Sequence, residues 1–280
     1  MIPEISVASI VTISISVFIA ILAPIVLMVV LYMRTHVKMI NFFLGAAVCV
    51  LFTGLFSGGI NHYLLEQNQQ TAAFIQSVPA VAALYSCLSA GIIQESGRMA
   101  AFSLSQKQDL SLGAAAAFGL GYITIDSMFF SSSGIIANLS VAVTLKTQGA
   151  QSMIDALPKS EQDAFSQSLL ELVNTPALSF LSMGVERLTA MALQVSLSIL
   201  IWMVALKLIR LYFFPISIAL HALYLLPSIL YGQGVLTNVW LVQGIVVFYT
   251  AALCCLVYFL YQKNKHKPMQ LHDRLPVRHL

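Results

Sequence analysis

Seven long, continuous apolar stretches constrain this chain more than any other feature. They lie near residues 7–33, 40–62, 78–100, 111–130, 178–206, 211–230 and 235–260. A helix needs about 20 mostly apolar residues to cross a bilayer. Only helices or closed barrels satisfy their backbone polar groups in lipid, and runs that do not alternate with polar residues indicate helices. The sequence therefore predicts an all-α fold, a polytopic membrane helical bundle of about seven transmembrane helices.

The distribution of Lys and Arg predicts the orientation of this bundle. Because cytoplasmic loops are enriched in basic residues, we expect the N-terminus outside and the C-terminus in the cytoplasm of a multi-pass cell-membrane protein. The opposite side keeps only Lys146 and Lys159, and Arg187 lies within the fifth stretch. Eleven of the 14 Lys and Arg residues fall on the predicted cytoplasmic side: Arg34, Lys38, Arg98, Lys107, Lys207, Arg210, Lys263, Lys265, Lys267, Arg274 and Arg278.

The same pattern predicts one integral membrane domain over residues 1–262 and a basic cytoplasmic tail over residues 263–280. The net charge of +3 then reflects topology. The tail is short and lacks interleaved aromatic residues, which argues against a nucleic-acid partner. Its expected partner is anionic lipid of the inner leaflet.

The cysteines show no metal-type spacing and are interpreted as packing residues: Cys49, Cys87, Cys254 and Cys255.

One substantial loop, residues 144–175, is expected on the outer side. Pro158 followed by the segment 160–163 reads as a helix start with a capping box. Apolar residues then recur at helical spacing, which predicts an amphipathic helix that is too short to span: Phe165, Leu169, Leu172 and Val173. This outer helix is interpreted as a structural cap over the bundle. A gate over an interior cavity is the alternative.

Glu95 is a carboxylate within the third apolar stretch, and Arg98 follows it by three positions. A charge at the bilayer centre costs about 2.5–3.5 kcal/mol on insertion scales, so an intramembrane carboxylate is a candidate functional residue. Residues three apart share one face of a helix. Arg98 can therefore hold Glu95 ionised for chemistry, or the two can form a plain ion pair. The sequence leaves both readings open.

Polar residues also recur at helical spacing in the neighbouring stretches. Because they align on single helix faces, we expect the third to sixth spans to surround a polar interior site. A neutral hydrogen-bonded His221 and a fold-locking Glu186–Arg187 pair are the structural alternatives, whereas Asp126 has no basic neighbour in its own span. The stripes are Gln94, Glu95 and Arg98; Tyr122 and Asp126; Glu186, Arg187, Gln194 and Ser198; and Ser217, His221, Tyr224 and Ser228.

Small residues predict close contacts between helices. Gly54 and Gly58 form a GxxxG motif in the second stretch, and Ala114 to Ala117 with Gly119 and Gly121 line the fourth. No internal repeat of the kind found in many transporters is visible. A transporter that used Asp126 and Glu95 as relay groups is therefore the weakest of the functional interpretations.

Four short segments resemble the motifs of the YhfC-type branch of glutamic intramembrane (metallo)proteases, related to the CAAX-protease and bacteriocin-processing group. The Glu-Glu-x-x-Arg motif stands here as Gln94-Glu95-Ser96-Gly97-Arg98, and Phe-Gly-x-Gly-His-Gly-x-x-Glu as the segment from Phe118 to Asp126. Glu-Arg-x-x-Ala-x-x-x-His stands as the segment from Glu186 to Gln194, and His-Ala-x-x-Asp as that from His221 to Leu225. The resemblance covers a protease-like core of about residues 78–230.

The resemblance implies a set of roles for this chain. Glu95 would be the general base on a water, Arg98 would orient it and His221 would assist with protons or the oxyanion, with Glu186 and Arg187 in the same site. Tyr122, Asp126 and Gln194 would be secondary donors. The chain departs from the family pattern at Gln94, Tyr122, Gln194 and Leu225. One histidine with scattered carboxylates makes a poor zinc site, so we expect no metal and no other cofactor.

Two functions follow from these residues. The first is an intramembrane endopeptidase of weakened activity that cleaves transmembrane or lipid-modified peptides. The second is a catalytically inactive relative that binds membrane proteins as an immunity or scaffold factor.

Overall fold

The computed structural model describes residues 2–105 and 111–267, and this part of the chain is helical without a strand. The predicted all-α fold is confirmed. Short π-helical segments continue three of the helices, at Cys49–Ser57, His62–Gln67 and Asp126–Ser131. The α-helices are α1 (Val7–Thr35), α2 (Ile40–Val48), α3 (Gly58–Asn61), α4 (Gln69–Ser77), α5 (Pro79–Leu104), α6 (Leu112–Ile125), α7 (Ser133–Gln148), α8 (Ala150–Asp155), α9 (Lys159–Asn174), α10 (Ala177–Ala205), α11 (Phe213–Gly232) and α12 (Val239–Asn264).

Within the described residues, six helical segments are long and apolar enough to cross a membrane: Val7–Thr35, Ile40–Gln67, Leu112–Ser131, Ala177–Ala205, Phe213–Gly232 and Val239–Asn264. The third predicted span falls on α5, which meets the same standard only together with α4, across a bend of 110°. Gln94, Glu95 and Arg98 make α5 the least apolar of the seven predicted spans. The chain is therefore a multi-pass membrane protein with six or seven spans.

Two sequence predictions stay predictions. One is the orientation with the N-terminus outside, to which Lys107, Arg274 and Arg278 contributed although they lie outside the described residues. The other is the division into a membrane domain and a basic tail, because only residues 263–267 of the tail are described.

Helix α10 lies at the centre of the bundle. It packs against α1, α5, α6, α11 and α12, and side chains are buried on all of its faces in its second half. Helix α6 packs between α2 and α10 and is buried over most of its length. A helix that is apolar all round belongs in an interior, and these two helices form the interior of the bundle.

Glycines on α6 allow neighbouring helices to approach closely. A Cβ atom on Gly121 would lie 1.9 Å from the carbonyl oxygen of Phe42, and one on Gly119 would lie 2.7 Å from the Cα of Val195. The predicted packing role of small residues in the fourth span is thus confirmed. In the second span the prediction is wrong for Gly58, because no atom lies within 4 Å of where its Cβ would be.

Helices α7, α8 and α9 cover one end of the bundle, which we call the capped end. Leu169 and Leu172 of α9 are buried in an apolar cluster with Ile5, Ile13 and Phe180. The predicted amphipathic helix is therefore confirmed, and its apolar face packs on the bundle as a structural cap would. The predicted capping box is wrong, because the helix begins directly after the proline at position 158 and no side chain caps it.

Candidate functional site

Polar side chains from α5, α6, α10 and α11 meet near the middle of these helices. We call this group the inner cluster: Gln94, Glu95, Arg98, Tyr122, Gln194 and His221. Its charged members have no access to solvent, since Glu95 and Arg98 are 0% exposed and His221 is 1% exposed. Charges in such surroundings must be paired, because an isolated buried charge is too costly.

Glu95 is the centre of the inner cluster. Its Oε1 atom accepts hydrogen bonds from Nη1 of Arg98 and, at 2.7 Å, from Nδ1 of His221. Because a carboxylate oxygen only accepts, Nδ1 of His221 carries the hydrogen, and the second ring nitrogen is left for other proton exchange. The Oε2 atom of Glu95 is buried with no partner among the described residues, and so are Nε and Nη2 of Arg98. The cluster thus offers an unpaired acceptor beside unpaired donors.

Tyr122 lies under the guanidinium of Arg98, whose central carbon is 4.5 Å from the ring centroid. This cation–π contact is a further stabilisation of the buried charge. The Tyr122 hydroxyl shares a 2.6 Å hydrogen bond with Oγ1 of Thr53. Thr53 lies in the π-helical segment Cys49–Ser57 of the second span, and such segments are frequent at functional sites. Sequence reasoning missed Thr53, because it is uncharged and stands on no polar stripe.

Gln94 and Gln194 contact each other across the inner cluster. Nε2 of Gln194 donates to Oε1 of Gln94 at 3.4 Å, a long hydrogen bond. Beside this pair, Gly119 allows α6 to approach α10 closely, because a Cβ there would lie 3.0 Å from the carbonyl oxygen of Gln194. Two positions at which this chain departs from the motif pattern are therefore neighbours, and two neutral amides occupy the place of a carboxylate and an imidazole.

A second group of polar residues lies one helical turn from Tyr122 toward the capped end. We call it the outer cluster: Asp126, Ser131, Glu186 and Arg187. Arg187 contacts both carboxylates, Glu186 at 3.1 Å and Asp126 at 3.9 Å. Ser131 donates a 2.6 Å hydrogen bond to Oδ2 of Asp126. The side chains of Arg187, Asp126 and Glu186 are 13%, 11% and 31% exposed, so this cluster reaches solvent.

The site residues predicted from sequence thus form two sets of direct contacts. Glu95, Arg98, Tyr122, His221 and Gln194 are in the inner cluster, whereas the other three are in the outer cluster. The last position of the fourth motif, Leu225, packs into the apolar core of the bundle. Whether any of these residues is catalytic stays a prediction.

Known proteins are similar to this chain over most of its length. The family described as YhfC intramembrane metalloprotease matches residues 19–246, a range that contains both clusters. A relative described as an uncharacterized membrane protein YhfC, from Bacillus subtilis (strain 168), is 29% identical over 233 residues, which are 83% of this chain and 89% of that protein. No solved structure matches the chain significantly.

The description of that family implies a metal ion, and the donors of this chain do not fit one. A catalytic zinc takes three protein ligands from His, Cys, Asp or Glu. Within residues 2–105 and 111–267, no group of three such side chains is arranged to hold an ion. In the inner cluster the Oε1 atom of Glu95 is already engaged by Arg98 and His221. The remaining members, Tyr122 and the two glutamines, are neutral and are not usual zinc ligands.

Proposed function

Because this chain belongs to the YhfC family of intramembrane metalloproteases, we propose that it is an intramembrane endopeptidase of weakened activity that hydrolyses transmembrane or lipid-modified peptides. The proposal is carried by one observation. Glu95 and His221, from helices α5 and α11, are joined by a 2.7 Å hydrogen bond at a fully buried position. A carboxylate and an imidazole held together in this way are the usual partners of acid–base catalysis.

Three members of the inner cluster carry the proposed reaction. Oε2 of Glu95 takes a proton from water as the water oxygen attacks the peptide carbonyl carbon. Arg98 stabilises the ionised form of Glu95 and fixes its orientation. Protonated at both ring nitrogens, His221 delivers the proton of its second ring nitrogen to the leaving amine as the carbon–nitrogen bond breaks, and the proton that Glu95 has taken then replaces it. A general base must lie within hydrogen-bonding reach of the proton that it takes, and Oε2 is the carboxylate oxygen that is unpaired.

Neutral donors are the reason for proposing weakened activity. The oxyanion that forms on the carbonyl oxygen needs hydrogen-bond donors in place before the reaction, and losing one donor typically costs about 10²–10³ in rate. Apart from Arg98, which is engaged with Glu95, the donors here are the amide of Gln194 and the hydroxyl of Tyr122. The hydroxyl is already shared with Thr53, and no metal ion fits the site to replace it.

The contact between Gln94 and Gln194 favours a second candidate function. It places two amides, which neither activate water nor carry protons, where the family pattern has a glutamate and a histidine. A chain of this kind would bind membrane proteins at the polar interior without cleaving them, as an immunity or scaffold factor.

The test compares membrane-protein fragments, by mass spectrometry of newly formed termini, in cells that express the wild type or a variant. Glu95→Gln removes the base. His221→Asn keeps an amide N–H for Glu95 but removes the second ring nitrogen, which makes it the less disruptive variant. Glu161→Gln, on the exposed face of α9, serves as the matched control.

We expect new termini within or beside spans in the wild type and the control, and none in the two site variants. The double variant Gln94→Glu, Gln194→His should increase them. Identical fragments in all cells at equal expression would reject hydrolysis. Capture of the same membrane proteins by the wild type and by His221→Asn would then support the binding function.

A further inference from the structure

A cavity of about 530 Å³ that polar and apolar side chains both line opens at the capped end, apart from the inner cluster. Its walls come from α9, from the first third of α10, and from the adjoining ends of α11 and α12. We call it the outer cavity. A smaller cavity of about 300 Å³ shares three of its wall residues, Asn138, Met183 and Glu186, and extends to Arg187 of the outer cluster. The two cavities therefore adjoin each other at these side chains.

The charged side chains that line the outer cavity are both acidic, Glu171 and Glu186. Arg187 partly neutralises Glu186 at 3.1 Å, but Glu171 forms no ion pair with any residue that the structure describes. The wall therefore carries negative charge that is not compensated. Glu171 is exposed at the surface, so its charge attracts positive ligands toward this concave wall.

Gln243 gives an independent indication that a ligand binds here. It lines the outer cavity, is 5% exposed, and its Oε1 atom has no hydrogen-bond partner within the described part of the chain. A buried acceptor without a partner is destabilising, and in native proteins such atoms usually have a hydrogen-bond partner. A donor group in the cavity would satisfy it. Hydroxyls of Ser168, Ser179 and Ser228 line the same space.

We propose that the outer cavity is a binding site for an organic cation, a primary ammonium or guanidinium group. These groups are all donor and no acceptor, so they match a wall of carboxylates and carbonyl oxygens. A bare metal ion fits less well, because it is held by ligands at about 2.0–2.6 Å and the space is far larger. A Lys, Arg or N-terminal amine of a membrane polypeptide would present this group, and so would a free diamine.

The test uses thiol chemistry on the intact protein in lipid bilayers. Ser179→Cys is made in a chain whose native cysteines are replaced, and is reacted with a cationic trimethylammonium or an anionic sulfonate methanethiosulfonate. The rate of each reagent is divided by its rate with a free thiol. After this normalisation, we expect the cationic reagent to react roughly tenfold faster than the anionic reagent. Glu171→Gln should bring the two rates close together. Glu161→Gln removes the same charge from the same helix outside the cavity and should leave the preference intact.

Protection experiments then distinguish the two sources of the cation. A single-span peptide with a Lys pair at one end, the same peptide with Gln, and free cadaverine are added before the reagent. Slower modification with the Lys peptide alone identifies a polypeptide ligand, and slower modification with cadaverine as well identifies the free amine. Protection by neither, equal rates for the two reagents, or no reaction at position 179 would overturn the proposal.

The preference of the wild-type cavity is measured without altering any wall charge, and Gln243→Leu gives a second variant if Glu171→Gln does not fold. Removing the Gln243 acceptor should weaken the protection. No readout depends on peptide hydrolysis, so the cation site and the proposed activity can fail separately.

Discussion

The inner and outer clusters contain the same pairing of arginine with a carboxylate but differ in what surrounds it. Neither Arg98 nor Glu95 has exposed side-chain area, whereas the side chains of Arg187 and Glu186 are 13% and 31% exposed. A buried charge that water cannot reach depends wholly on its ion-pair partner for stabilisation. Near the surface, water can solvate a charge that has lost its partner. The same chemical change should therefore have large effects in the inner cluster and small effects in the outer one.

The largest effect is expected from Arg98→Met. It leaves the carboxylate of Glu95 buried without its cation, and breaking a buried pair in this way typically costs about 3–5 kcal/mol. The free energy of unfolding in mixed micelles is the measurement. The double variant Arg98→Met, Glu95→Gln removes both charges and should recover most of the loss. If the single variant were as stable as the double, dependence of the inner pair on its partner would be disproved.

A steric comparison should give the next largest effect. Gly119→Ala places a Cβ 2.7 Å from the backbone of Val195 beside the inner cluster. In contrast, nothing lies within 4 Å of a Cβ on Gly134, which lines the smaller cavity at the outer cluster. We expect Gly119→Ala to destabilise the folded protein by about 1–3 kcal/mol. Gly134→Ala should leave its stability unchanged or raise it slightly. Melting temperatures of the two variants check this. Equal values would mean that the two regions are packed alike.

A smaller effect is expected from Glu186→Gln in the outer cluster. The ion pair with Arg187 is partly solvated, and pairs of this kind contribute about 1 kcal/mol or less. Arg187 also keeps Asp126 as a partner at 3.9 Å. The same unfolding measurement applies. If the free energy of unfolding fell as much as it does in Arg98→Met, the outer cluster would be as inaccessible to water as the inner one.

The smallest effect concerns an ion pair at the surface, between Glu4 and Lys146 at 2.6 Å. Lys146 lowers the pKa of the Glu4 carboxyl below its ordinary value. The folded state thus keeps this group ionised to a lower pH than the unfolded state does, so the contribution is present above the unfolded pKa and lost as pH falls through the folded pKa.

We therefore expect a slight fall in melting temperature below about pH 4. Lys146→Gln should remove the part of that fall due to this pair. A fall of the same size in the variant and the wild type would exclude the pair as its cause.

The number and position of the spans could be predicted from sequence because they depend on local composition. The first predicted stretch, 7–33, corresponds to the helix Val7–Thr35. The helix Ser133–Gln148 was not predicted, because it is neither apolar enough to span nor clearly amphipathic. The contacts of Gly58 could not be predicted either, since they depend on which helix face meets a neighbour.

The candidate site could be predicted in its residues but not in its arrangement. The spacing of Glu95 and Arg98 indicated their contact, because both lie on one helix. The sequence placed Glu186 with Glu95, but in the structure Glu186 pairs with Arg187, and Glu95 pairs with Arg98 and His221. Which side chains meet depends on packing between helices. Thr53 was missed for the same reason: its importance comes from the hydroxyl of Tyr122, a partner 69 positions away.

The bond between Glu95 and His221 also has a consequence for how the protein is made. The two residues are 126 positions apart in the chain, so at about 5–20 residues per second the ribosome needs roughly 6–25 s to synthesise His221 after Glu95. During that delay the nascent third span already carries a carboxylate. Arg98 follows within a fraction of a second and can then pair with this carboxylate. It therefore stabilises the inserting helix long before the complete inner cluster has been synthesised.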